Sequence, residues 1–209
     1  LLRHRTFTLA AIIALALGIG ANTAVFSVVN AVLLRPLPFQ NSERMMLIWG
    51  NFLKFNIEQS RAKAAEYVDY RDHTKSFEQV AAFSTDDFNF TGSGQPARIA
   101  GASVTANLFP TLGAQAAQGR LIAAEENQSG RNNVVVISHR LWQQRLGGAA
   151  NITGTSIKLN DQNYTVIGIM PADFEFPHSS FNFAEPVEFW VPLAFTTEQV
   201  AQRQRPNSL

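Results

Sequence analysis

The chain contains no cysteine in its 209 residues. That excludes disulfides, thiolate nucleophiles and cysteine metal ligands in any compartment. Charge is also scarce, with Asp, Glu, Lys and Arg making up 16% of the chain for a net charge of +1. So small a net charge gives no bulk electrostatic case for binding nucleic acid or an acidic surface. No GxxxxGK[ST] pattern occurs, so ATP is not bound through a P-loop. No GxSxG elbow presents a nucleophilic serine. The histidines (His4, His73, His139, His178) are scattered, with none paired at the spacing that places two ligands on one helix face. Asp86-Asp87 and Glu125-Glu126 are adjacent carboxylates. On a strand such neighbours point to opposite faces, and in a loop they are ordinarily solvated, so neither reads as an acid/base pair. Gly18-Ile19-Gly20 lacks the third glycine and the preceding strand of a dinucleotide loop. The expectation is therefore no enzyme, no cofactor and no metal.

What the chain does have is a long uncharged start. From Thr6 to Leu34 no residue is ionisable, and Arg5 and Arg35 bracket the run. A membrane span needs roughly 20 apolar residues at about 1.5 Å each, so the run is long enough to cross a bilayer. It stops at Arg35-Pro36-Leu37-Pro38, because proline cannot continue a helix. Small residues recur every four positions, Ala10, Ala14 and Gly18 in one row and Ala16, Gly20 and Ala24 in another. Such rows let helix backbones approach closely in lipid. Gly18, Gly20, Ala14 and Ala24 are thus candidate helix-packing positions, and Arg35, Pro36 and Pro38 form the candidate helix–domain joint. Asn22, Thr23 and Asn30 are costly in lipid and are expected to face protein or water. A cleaved signal peptide, with Ala21 to Ala24 as its cleavage site, is the competing reading; the apolar run resumes at Val25 and argues against it. Arg3 and Arg5 favour a cytoplasmic N-terminus by the positive-inside rule, which puts the remainder outside the cytoplasm.

Residues 1–38 are therefore read as flank and transmembrane helix, and 39–209 as one extramembranous domain. Its pattern predicts strands over Met45–Trp49, Asp86–Thr91, Ala97–Val104, Val134–Ile137, Ile157–Leu159, Tyr164–Ile169 and Phe189–Val191. Helices are predicted over Arg61–His73, from a Ser76 cap through Phe83, in a short turn at Asn107–Gly113, and over His139–Leu146. Ser138 caps the last of these and Gly147-Gly148 stops it. Asn160 to Asn163 makes a hairpin, and Glu125–Asn133 a polar loop. Strands and helices mix without strict alternation, so the fold class is α+β. Phe174, Phe176, Phe181 and Phe183, in a proline-flanked stretch, are candidates for an exposed contact surface.

Specific motifs carry a resemblance. Ala16 to Pro38, with Gly18-Ile19-Gly20 and Arg35-Pro36-Leu37-Pro38, resembles the first transmembrane helix of MacB/FtsX-type ABC transporter permeases, most of all the acidobacterial-type group. The similarity continues through Tyr67 to Asp72, Ser76-Phe77-Glu78, Ser103 to Pro110, Leu112-Gly113 and Gly119-Arg120. It then runs through Val134 to Trp142, Gly147-Gly148, Tyr164 to Pro171 and Phe189 to Leu193, covering nearly the whole chain. It implies a MacB-like periplasmic core domain, two-lobed and mixed α+β, with a split near Ala82 to Thr91. It also implies a permease subunit in the bacterial inner membrane that carries no catalytic residues of its own. A cytoplasmic ABC ATPase subunit, a second permease copy, and a periplasmic adaptor or substrate protein are the implied partners, and mechanotransmission or export the implied role. Permeases of this kind have four membrane helices, so a chain ending at Leu209 is expected to be a fragment. The rivals are a single-span anchored binding or sensor module without an ATPase, and an anchored hydrolase.

Overall fold

The structure, a computed structural model, describes residues 5–29, 39, 42–48, 50–52, 57–60, 64–91, 95–177, 185–196 and 199. It divides into two compact units, Leu1–Pro38 and Phe39–Leu209.

The first unit is the helix α1 (Arg5–Val29). At about 1.5 Å per residue it is about 37 Å long. Its stretch Thr8–Ser27 is long and apolar enough to cross a membrane. Its described side chains are mostly apolar and mostly exposed, with Leu15 and Leu17 each 68% exposed. Thr23 donates its Oγ1 hydroxyl to the Ile19 carbonyl one turn back, at 2.8 Å.

The second unit is built on strands. β1 (Gly50–Phe52) and β2 (Ile57–Ser60) form a small antiparallel pair. The remainder are β3 (Phe83–Thr91), β4 (Ala97–Val104), β5 (Gln118–Gly119), β6 (Val134–Ile137), β7 (Ser156–Leu159), β8 (Gln162–Ile169) and β9 (Phe189–Pro192). They make one seven-stranded mixed sheet in the order β5-β8-β6-β9-β4-β3-β7. β7 pairs back onto β8, so the pairings from β8 round to β7 close into a circuit. Three helices pack around this frame: α2 (Ala64–His73), α3 (Leu108–Thr111) and α4 (His139–Arg145).

Strand alternation sorts the apolar residues into two cores, one on each face of the sheet. On one face lie Phe90, Ile99, Val135, Ile137, Phe189 and Val191, covered by Leu141 and Trp142 of α4. On the other lie Ala102, Val104, Val136 and Trp190, covered by Leu108 and Phe109 of α3. β8 serves both. Val166 faces the first core, but the register with β6 slips between Val135 and Val136, so Val136 pairs with Gly168 and Ile167 is bulged out. Beyond the bulge Ile169 returns to the first core while Met170 enters the second. A bulge re-aims side chains in this way. Gly168 and Gly119 face each other across β8 and β5. A Cβ on either would strike the opposing backbone, at the Arg120 or Ile167 carbonyl.

The fold is α+β, as the pattern predicts, and most strands fall where alternation places them. Several expectations need correction. Residues 45–48 are not a strand: Met46 to Ile48 are exposed and the ladder begins at Gly50, opposite Ser60. No helix follows Ser76. The backbone there is drawn into tertiary bonds, with Val80 accepting from Asn107 Nδ2 and Ala82 exchanging bonds with Thr105, at 2.8 to 2.9 Å. That consumes groups a helix would need internally. The division expected near Ala82–Thr91 falls along β3 itself, and Phe39–Leu209 is a single compact unit. In α2, which begins at Ala64 among the described residues, Tyr67 is buried and Tyr70 is exposed. The hairpin turn is tighter than predicted. Asn160 and Asp161 alone form it with φ of 47° and 65°, a two-residue primed turn, and Asn160 Oδ1 accepts from the Asn89 backbone at 2.8 Å. Trp49, Arg61 to Lys63, Asn30, His4 and His178 lie outside the described residues.

Candidate functional site

On α1, Ala14 and Gly18, and Gly20 and Ala24, stand one turn apart on exposed surface. A Cβ added to Gly18 or Gly20 would meet nothing within 4 Å. The small-residue rows are thus smooth, open tracks. Arg35, Pro36 and Pro38 lie outside the described residues.

The chain enters the second unit at Phe39, which packs into the core below the sheet. Its ring lies 6.4 Å from Phe174 and 6.1 Å edge-on from Phe176. Phe176 meets Phe83 of β3 at 4.9 Å, and Phe174 meets Trp190 of β9 at 5.3 Å. Phe109 of α3 closes the group against Trp190 at 6.1 Å. These tilted and edge-to-face pairs are the geometry aromatic quadrupoles prefer. Trp190 is fully buried, and its indole Nε1 donates to the Phe176 carbonyl at 3.0 Å, which satisfies its one polar group. Phe174 and Phe176 are therefore core residues rather than the exposed contact surface expected of them; Phe181 and Phe183 lie outside the described residues.

Three polar clusters fix the loops around this core. Arg120 grips Glu126 with both arms, at 2.9 and 2.6 Å, and Glu126 also accepts from the Ala123 backbone at 2.8 Å. The Glu126 side chain is only 10% exposed, so the carboxylates at 125–126 are not both solvated. The Arg120 hydrogen bonds, with help from Ala123, hold the Glu126 carboxyl below the usual range, and Glu126 in turn raises Arg120. Asn127, next along, is a three-way tie. Its amide donates to the carbonyls of Val104 and Leu193 at 3.1 Å each, and its Oδ1 accepts from Ala106 at 2.6 Å. Ser138 caps α4 by accepting from Leu141 at 2.9 Å, and its hydroxyl donates to Glu188 at 2.8 Å. Arg140 holds the other Glu188 oxygen at 2.8 Å.

Of these, the sequence singled out Ser138 for capping. Phe39, Asn127 and Glu188 gave no local signal, because each acts through a partner far along the chain. Among the described residues no group of three His, Asp or Glu could hold a metal ion. His73 sits 3.8 Å from Asp69, and His139 packs edge-on against Trp142. These contacts tie strand ends and loops together.

The model of the MacB-like periplasmic core domain matches residues 8–208, and the chain belongs to that family. No curated protein matches. Among solved structures, the extracellular domain of the noncanonic ABC-type transporter YknZ from Gram-positive bacteria has a TM-score of 0.50 at 13% identity, covering 69% of this chain and 79% of that one. A domain of a permease protein from Porphyromonas gingivalis has a TM-score of 0.50 at 11% identity, covering 73% and 66%. The periplasmic region of MacB from Actinobacillus actinomycetemcomitans has a TM-score of 0.48 at 14% identity, covering 74% and 76%. At such identities the first two establish a shared fold.

Proposed function

We propose that this member of the MacB-like periplasmic core domain family is the N-terminal part of an ABC-transporter permease subunit. In this reading residues 1–38 cross the cytoplasmic membrane with the N-terminus inside, and residues 39–209 stand outside. A separate cytoplasmic ATPase subunit hydrolyses ATP, and the membrane helices carry the resulting motion to the outer domain, which engages a substrate or a partner protein. The small-residue rows through Ala14 and Gly18, and Gly20 and Ala24, pack against other helices of the permease or a second copy of it. Arg35, Pro36 and Pro38 form the joint through which the helix moves the domain. The observation that carries the reading is that one family model runs from residue 8 to residue 208, through helix and domain together.

A domain moved from one end must be stiff enough to move as a body. The two cores, the closed strand circuit and the ties at Glu126, Asn127 and Glu188 supply that stiffness. Two measurements test the reading. An affinity-tagged full-length permease purified from native membranes retains an ABC ATPase. A single cysteine placed at exposed Ser129 is labelled by an impermeant maleimide applied from outside intact spheroplasts. Purification without any ATPase leaves an anchored binding module, and labelling only after lysis reverses the orientation.

A further inference from the structure

We propose that Phe39 is a positioning residue, the latch through which movement at the joint reaches the centre of the sheet. The inference rests on the coupling reading above and names the residue that would carry it. Phe39 is the first residue of the domain unit, directly after the joint. Its ring touches Phe174 and Phe176. Both lead to Trp190, one through a ring contact of 5.3 Å and the other through the 3.0 Å bond from the indole. Trp190 lies on β9, paired with Ala102 of β4 on one side and Val136 of β6 on the other. One intermediate residue thus separates the chain's entry from the strand at the middle of the sheet.

The chain beyond Phe39 shows why one ring matters. The next described residue packed into this core is Met45. Between them, Ser42–Arg44 is a single 3-10 turn with no buried residue, and its Arg44–Glu78 ion pair is solvent-exposed on both sides. Exposed pairs of that kind hold little. Without the Phe39 ring the six steps to Met45 become slack, extensible to about 20 Å. A displacement of one helical turn, about 5.4 Å, would be absorbed there before it moved the sheet.

The test uses the full-length permease in nanodiscs with its ATPase. Spin labels on cysteines replacing Ser42 and Ser129 report the distance between the entry segment and the far loops by pulsed EPR. With Phe39 present the distribution is narrow. Phe39→Ala broadens it at least twofold while the thermal unfolding of the buried Trp190 environment stays within a few degrees. Phe39→Leu, which keeps apolar volume, broadens it less, and decides the matter if the alanine variant fails to fold. In the functional arm, ATP hydrolysis continues at the unaltered rate, but the ATP-driven change in distance between Ser129 labels on two permease copies falls at least fivefold. An unchanged distribution in both variants overturns the latch. An ATP-driven change that survives Phe39→Ala in full also overturns it. If the parent protein shows no ATP-driven change at all, the coupling reading fails, while the Ser42–Ser129 width still judges the latch.

Discussion

Gly101 on β4 pairs directly with Phe189 on β9. A Cβ there would lie 2.5 Å from Phe189 Cε2 and closer still to Cζ, a separation real Cβ atoms do not show. Were the ring free to swing away, Gly101→Ala would cost little. It is not free: Phe189 is fully buried, and Phe88 stands edge-on against it at 5.0 Å. Overpacking of such a site costs about 1–3 kcal/mol, and the boxed-in ring argues for the upper half, about 2–3 kcal/mol. For a domain of this size each kcal/mol lowers Tm by about 2–4 °C, so the expected fall is about 4–12 °C. Phe189→Leu removes the reach of the ring and costs about 1–2 kcal/mol by itself. The double variant should cost less than the sum by at least about 1 kcal/mol, since the leucine makes room for the new methyl. Denaturant unfolding of the detergent-solubilised chain, followed by tryptophan fluorescence, supplies all three numbers. Strict additivity, or a Gly101→Ala variant within about 0.5 kcal/mol of the parent, would refute the argument that β4 and β9 meet through this glycine.

The remaining predictions address other links. Glu126→Gln should destabilise the domain by about 1–2 kcal/mol, toward the low end for a charge-assisted bond because Arg120 is half exposed. Because Glu126 has a lowered pKa when folded, its contribution is complete above the ordinary carboxyl value of about 4.3 and is lost as pH falls through the lowered one. The parent's stability should therefore drop on acidification more than that of the Gln variant, as unfolding midpoints at pH 7 and pH 3 would show. Asn127→Ala leaves Val104, Leu193 and Ala106 without their shared partner and should cost about 2–3 kcal/mol; a loss below about 0.5 kcal/mol in the same unfolding assay would contradict the three-way tie. Gly18→Leu with Gly20→Leu should leave the domain's Tm unchanged and reduce co-purification of partner subunits, and equal recovery of partners would remove the helix-packing role.

The elements legible in the sequence were those whose cause is local. Alternation at Phe88 and Phe90 announces β3, Ser138 with Gly147-Gly148 frames α4, and the uncharged run fixes α1. What escaped has its cause elsewhere in the chain. The stretch before β3 has the residues of a helix, but Thr105 and Asn107 hold its backbone from more than twenty positions away. Met46 to Ile48 read as a strand by composition and lack a partner strand among the described residues. Glu126 looks like a solvated loop acid until Arg120 closes on it. The Phe174–Phe176 segment reads as a sticky surface because nothing nearby shows that Trp190 and Phe39 will cover it. Of the candidate residues, the small-residue rows and the Arg35–Pro38 motif stand out in the sequence, whereas Phe39, whose ring partners Phe174 and Phe176 lie far along the chain, does not.

The strand order also bears on how the protein is made. β9, the last strand of the sheet among the described residues, sits at its middle, between β6 and β4. Until residues 189–192 have been synthesised, β4 and β6 have no common neighbour and both cores lie open along their midline. Long-range pairing of this sort is slow to form and exposes apolar surface meanwhile. The domain should therefore fold late and all at once, and a chain cut before Phe189 should be a target for chaperones and proteases rather than a smaller working version of the whole.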